Sequence, residues 1–84
     1  MEIEIGRITH YYSKIGVAMI ELTAESLKIG DTIRVMGHTT DFTQTVDSME
    51  FEHQALTEVK PGQTFGVKVS APVRDNDKVS KITP

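Results

Sequence analysis

The chain has 84 residues, 38% of them hydrophobic and 25% charged, with a net charge of −3 and no cysteine. A single domain spanning 1–84 is expected, with a thin core that needs most of its aliphatic residues. Disulfides and thiolate metal sites are excluded, and the acidic balance argues against tight sequence-independent nucleic-acid binding, which rests on many Lys and Arg contacts to phosphate.

In chain order, Met1-Glu2-Ile3-Glu4 has neither the basic region nor the apolar run of a signal peptide. The longest apolar run, Ile15 to Ile20, is far short of the ~20 residues that cross a bilayer, so a cytoplasmic location without membrane insertion is expected. Ile3 and Ile5 share one face of an opening strand, and Ile8 has the other parity. A β-bulge at Gly6-Arg7 restores Ile8 to that face; a strand end at Gly6 is the alternative. Thr9 to Lys14 is polar and aromatic and then turns. In the second strand Ala18, Ile20 and Leu22 point inward, because the opposite face, Val17 and Met19, ends in Glu21. These two strands form an antiparallel pair.

Thr23 to Ser26 reads as a short helical turn capped by Thr23. Lys28-Ile29-Gly30-Asp31 is a turn opening into Thr32 to Met36, where Ile33 and Val35 alternate with Thr32 and Arg34. Phe42 to His53 reads as one long strand whose phase changes near Asp47-Ser48, which implies a bulge or a sharp bend. Gln54 to Val59 is a connection, with Leu56 plugging one end. Lys60-Pro61-Gly62-Gln63 carries Pro and Gly at the centre of a type II turn. Phe65, Val67 and Val69 alternate, Pro72 bars a central strand position, Arg74 to Asp77 turns, and Lys78 to Thr83 closes the chain. Six strands without a long helix predict an all-β fold, a small six-stranded closed β-barrel, since so small a sheet cannot leave bare edges cheaply. The expected core is Ile5, Ile8, Ala18, Ile20, Leu22, Ile33, Val35, Val46, Phe51, Val67 and Val69.

The order Gly16-Val17-Ala18, Leu27-Lys28-Ile29-Gly30-Asp31-Thr32-Ile33, Asp47-Ser48-Met49, Val59-Lys60-Pro61-Gly62-Gln63 and Gly66-Val67-Lys68-Val69 resembles domain two of the translational GTPases, the elongation factor Tu type. Gly6-Arg7-Ile8-Thr9-His10-Tyr11-Tyr12 and Asp41-Phe42-Thr43-Gln44 resemble the C-terminal accessory barrel of the collagenase-like peptidase family. Both resemblances imply a translation-factor-type barrel. The first implies RNA or the ribosome as partner, with Lys14 at the place of an Arg that helps hold the aminoacylated tRNA end. There Ile15 stands where that family has a Gly. The second implies a partner protein such as a collagenase-like peptidase.

No phosphate loop, βαβ unit, catalytic triad or metal-ligand spacing is present, so neither an enzyme nor a nucleotide, metal or other cofactor site is expected. His10, His38 and His53 match no metal motif and read as surface residues. Glu50 and Glu52 read as a solvated strand face. The candidate binding cluster is Arg7, His10, Tyr11, Tyr12 and Lys14, where cationic and aromatic groups lie close together. Such groups grip single-stranded RNA by stacking and phosphate attraction, and Arg and Tyr are also enriched in protein hot spots. The loop His38-Thr39-Thr40-Asp41 is the next candidate.

Overall fold

The structure is a computed structural model that describes residues 1–83. Among the described residues there are ten strands, the longer ones built on alternation of apolar and polar residues. They are β1 (Glu2–Tyr12), β2 (Val17–Leu22), β3 (Leu27–Lys28), β4 (Thr32–Met36), β5 (Asp41–Thr45), β6 (Met49–Phe51), β7 (Gln54–Leu56), β8 (Glu58–Val59), β9 (Thr64–Lys68) and β10 (Lys78–Ile82). Eight form one antiparallel sheet in the order β5-β4-β10-β1-β2-β9-β6-β7, and β3 pairs with β8 in a second, two-stranded sheet.

The all-β expectation holds, but the six-stranded closed barrel does not. The sheet ends at β5 on one side and β7 on the other, with no backbone ladder joining them. It nevertheless curls strongly, because β5 and β9, five places apart in strand order, come within reach of one side chain. The Gln44 amide donates to the Lys68 carbonyl at 2.8 Å and accepts from the Ser70 N–H at 2.8 Å. One carboxamide thus satisfies two backbone groups that a closed barrel would satisfy with a strand ladder.

The phase change at Asp47-Ser48 is a break in the strand. β5 pairs with β4, whereas β6 leaves it and pairs with β9 and β7. The predicted connection from Gln54 to Val59 contains two short strands. Residues 23–26 form no helical turn: the Thr23 hydroxyl and N–H both donate to the Ile5 carbonyl, and Glu25 has a φ of 58°.

Three turns follow one rule. In Lys28–Asp31, Lys60–Gln63 and Arg74–Asp77 the fourth residue's N–H donates to the first residue's carbonyl, at 3.1, 3.2 and 3.1 Å. The third residue, Gly30, Gly62 or Asn76, has positive φ, as a type II turn requires. The fourth side chain, Asp31, Gln63 or Asp77, accepts the first residue's N–H at 2.8–2.9 Å. Each turn is therefore locked from both ends by its own four residues.

The core is one cluster on the concave side. Ile5, Ile8, Ala18, Ile20, Leu22, Ile33, Val35, Val46 and Val67 are buried as expected, and Leu27, Met49, Val59, Phe65, Val73 and Val79 complete it. Val69 and Leu56 are half-buried against it. Phe51 is a correction: it is 43% exposed. The break before Met49 sets the parity of β6, so Met49 takes the inward position opposite Val67 and the chain reverses directly after Phe51.

Candidate functional site

Two bulges in β1 decide which side chains share the convex face. Against β10, Glu4 pairs with Ser80 and Gly6 with Val79, leaving Ile5 as the extra residue. The bulge thus falls one residue before the Gly6-Arg7 position expected, and it buries both Ile5 and Ile8. Against β2, Ile8 pairs with Ile20 and His10 with Met19, leaving Thr9 extra. This second bulge was not legible in the sequence. It reverses the parity, so Arg7, His10 and Tyr12 face outward and Tyr11 faces inward.

The expected cluster is therefore divided. Tyr11 packs on the core opposite Ala18. Arg7 is held by Glu21 at 3.1 Å and by the Asn76 side-chain oxygen at 3.0 Å. Lys14 lies exposed in the β1–β2 turn and forms no ion pair among the described residues. Only His10 and Tyr12 remain together, edge to face with ring centroids 4.4 Å apart.

The convex face has two halves of different chemistry. Over β5, β4, β10 and β1 the charges neutralise one another. Arg34 grips Asp41 with two hydrogen bonds of 2.8 and 2.9 Å and reaches Glu2 at 3.3 Å; Lys78 faces Glu4 at 3.9 Å. The Arg34 hydrogen bonds hold the Asp41 carboxyl below the usual range, and Asp41 raises the Arg34 guanidinium. Exposed pairs of this kind contribute little stability. Their effect is that this half offers few unsatisfied charges to a partner. The loop 38–41 belongs here and borders a depression of about 600 Å³ against Ala71 to Arg74, but Thr40 is buried and Asp41 is already taken by Arg34.

Over β2, β9 and β6 the face is apolar and open. Val17 and Met19 project from β2, and Gly66 lies opposite Met19. Gly66 has no side chain, so a groove opens between the β2 side chains and Glu50, its neighbour on β6. Tyr12 (47% exposed), Ile15 (60%) and Phe51 (43%) wall the groove. A depression of about 260 Å³ at the Phe51 end adjoins one of about 340 Å³ at the Lys68 end; both are lined by Ile15, Val17, Glu50 and Gly66. Sequence reasoning found Tyr12 and missed the rest, because Ile15, Phe51 and Gly66 meet only through non-local strand pairing.

The β6–β7 turn at the rim is strained. Phe51 pairs with Gln54, so Glu52 and His53 form a two-residue hairpin loop, with φ of 51° and 66°. Asn-Gly is the favoured pair for this geometry, and left-handed backbone costs other residues roughly 1–2 kcal/mol each. The double variant Glu52→Asn/His53→Gly is expected to raise stability by about 1 kcal/mol, after allowing for the greater chain entropy of Gly. Urea denaturation checks this, and a midpoint equal to or below the parent's refutes it.

Among the described residues, no group of three or more His, Cys, Asp or Glu could hold a metal ion, and no helix is long and apolar enough to cross a membrane. No family model matches the chain. The chain is 44% identical over 79 residues to an uncharacterized protease of Methanocaldococcus jannaschii and 34% identical over 79 residues to a collagenase of Porphyromonas gingivalis. It is homologous to one segment of these proteins. The match covers 93% of the chain but only 19% of either relative, so the chain spans about a fifth of their length. Its fold is that of the C-terminal domain of a Geobacillus thermoleovorans protein assigned as a U32 peptidase, with a TM-score of 0.88 over 96% of this chain and 93% of that one, at 21% identity. The selenomethionine variant of that domain gives 0.83 at 20% identity. These relatives support the collagenase-like resemblance. They lend no support to the elongation-factor reading or to RNA and the ribosome as partners.

Proposed function

We propose that the chain is a non-catalytic accessory module of a collagenase-like peptidase, acting by contact with protein. The observation that carries this is the match itself: nearly the whole chain aligns with proteins named protease and collagenase, yet it accounts for only a fifth of them. The groove agrees with a contact role, being apolar and open. Its titratable groups, Glu50, Glu52 and His53, sit on the rim without the paired geometry of a nucleophile and base.

Deleting the matching 79 residues from the P. gingivalis collagenase, or replacing them with this chain, tests the proposal. The deletion is expected to leave cleavage of short peptides within about threefold of the parent, a change of under ~1 kcal/mol. Cleavage of denatured collagen should fall by at least tenfold (~1.4 kcal/mol) and return when this chain is grafted in. Loss of short-peptide cleavage in a deletion variant that remains folded would place catalytic groups in the domain and end the proposal.

A further inference from the structure

We propose that the Gly66 groove binds an extended polypeptide segment bearing apolar side chains next to a Lys or Arg, and that this segment is the peptidase's protein substrate. This rests on the accessory-module reading and adds to it the site and the ligand.

Three observations carry it. The first is charge. The outward acids of the opposite half, Glu2, Glu4 and Asp41, all have cations, and Glu21 has Arg7. Glu50 and Glu52, beside the groove, form no ion pair among the described residues. Two unpaired carboxylates beside an apolar cleft favour an apolar segment carrying its own cation. Lys68, at the other end, can take a carboxylate or the chain's C-terminal side.

The second is position. The Met1 amino group donates to the Thr83 carbonyl, and the Thr83 N–H donates to the Met1 carbonyl at 2.7 Å, so residues 1 and 83 lie side by side at one end of the sheet. The groove lies beside the other end of β1, where Tyr12 lines it. A neighbouring part of a longer chain attached near either end would thus join at the end of β1 away from the groove.

The third is shape. Two joined depressions with a glycine floor suit alternate side chains of an extended strand. A second copy fits less well, since a two-fold contact through the groove gathers the Glu50 and Glu52 carboxylates of both copies in one apolar interface. RNA fits less well because the same carboxylates repel phosphate.

The test uses the 84-residue chain and three fluorescein-labelled probes: a heptapeptide with alternating Leu and Phe flanked by Lys, the same peptide flanked by Glu, and an oligoadenylate. Fluorescence polarisation should show the Lys-flanked peptide binding with Kd below about 1 mM, and about tenfold more tightly than the Glu-flanked one. Phe51→Ala should weaken it by about thirtyfold. Glu50→Lys/Glu52→Lys should reverse the preference between the two peptides. Gly66→Ala fills the floor. Its Cβ meets Met19 Sδ and Val17 Cγ1 at 3.3 Å, so it should fold with a small shift of those side chains and bind more weakly. If Gly66→Ala does not fold, the exposed Phe51 and Glu50/Glu52 variants decide. Equal binding of the two peptides, binding of neither, preference for oligoadenylate, or self-association abolished by Phe51→Ala would each overturn the proposal. None of these outcomes touches the deletion experiment above, so the two readings fail separately.

Discussion

Val35→Asp is expected to remove a large part of the domain's stability and to lower its melting temperature sharply. Val35 is fully buried in β4, between Val79 of β10 and Phe42 of β5. A carboxylate there loses its hydration and finds no cation, since the neighbouring positions on the concave side belong to the apolar core. Such a change costs on the order of 5 kcal/mol. Scaling by length gives a domain of this size roughly 4–12 kcal/mol in total. Met36→Thr, one residue along and on the convex face, is the control and should change stability by less than about 0.5 kcal/mol. Circular dichroism with thermal melting reads both. A Val35→Asp variant that melts with the parent would remove Val35 from the core.

Gly6→Ala should be nearly as damaging, although it adds only a methyl group. Gly6 sits between Leu22 of β2 and Val79 of β10, directly after the bulged Ile5. A Cβ at Gly6 would overlap the backbone carbonyl oxygen of Glu21 and stand 3.3 Å from the Leu22 Cα. Those obstacles are backbone, so no rotamer change relieves them, and β1 and β2 must move apart. Overpacking of this kind costs about 3 kcal/mol. The damage should be centred on the β1–β2 ladder, with amide exchange of the paired Arg7 and Glu21 accelerated before that of β4. An unchanged melting temperature would mean that the two strands are not packed this closely at Gly6.

The consequence for the groove runs through the same strand. If β1 and β2 separate at Gly6, Met19 and Val17 shift relative to Gly66, and peptide binding should fall in step with stability. Phe51→Ala, on an exposed residue, should lose binding without losing stability. The two variants therefore separate a damaged scaffold from a damaged surface.

The sequence by itself determined the all-β class, most of the core and all three locked turns. Lys28–Asp31, Lys60–Gln63 and Arg74–Asp77 are legible because each is closed by its own four residues: a left-handed third position and a fourth side chain that bonds back. Ile33, Val35, Ala18, Ile20 and Leu22 are legible because period-two alternation is a local property of an extended chain. The tertiary structure alone decided three things. It put Thr9 out of register against β2, which turned Tyr11 inward and Tyr12 outward. It broke the predicted long strand after Thr45, so that Met49 rather than Phe51 entered the core. It left the sheet unclosed, with Gln44 bridging to β9. The physical reason is common to all three. Local backbone preference says which residues are extended, but the register between strands depends on how distant side chains fill one shared core. The groove consists of residues from β1, β2, β6, β9 and two turns, and so it existed in no single stretch of the sequence.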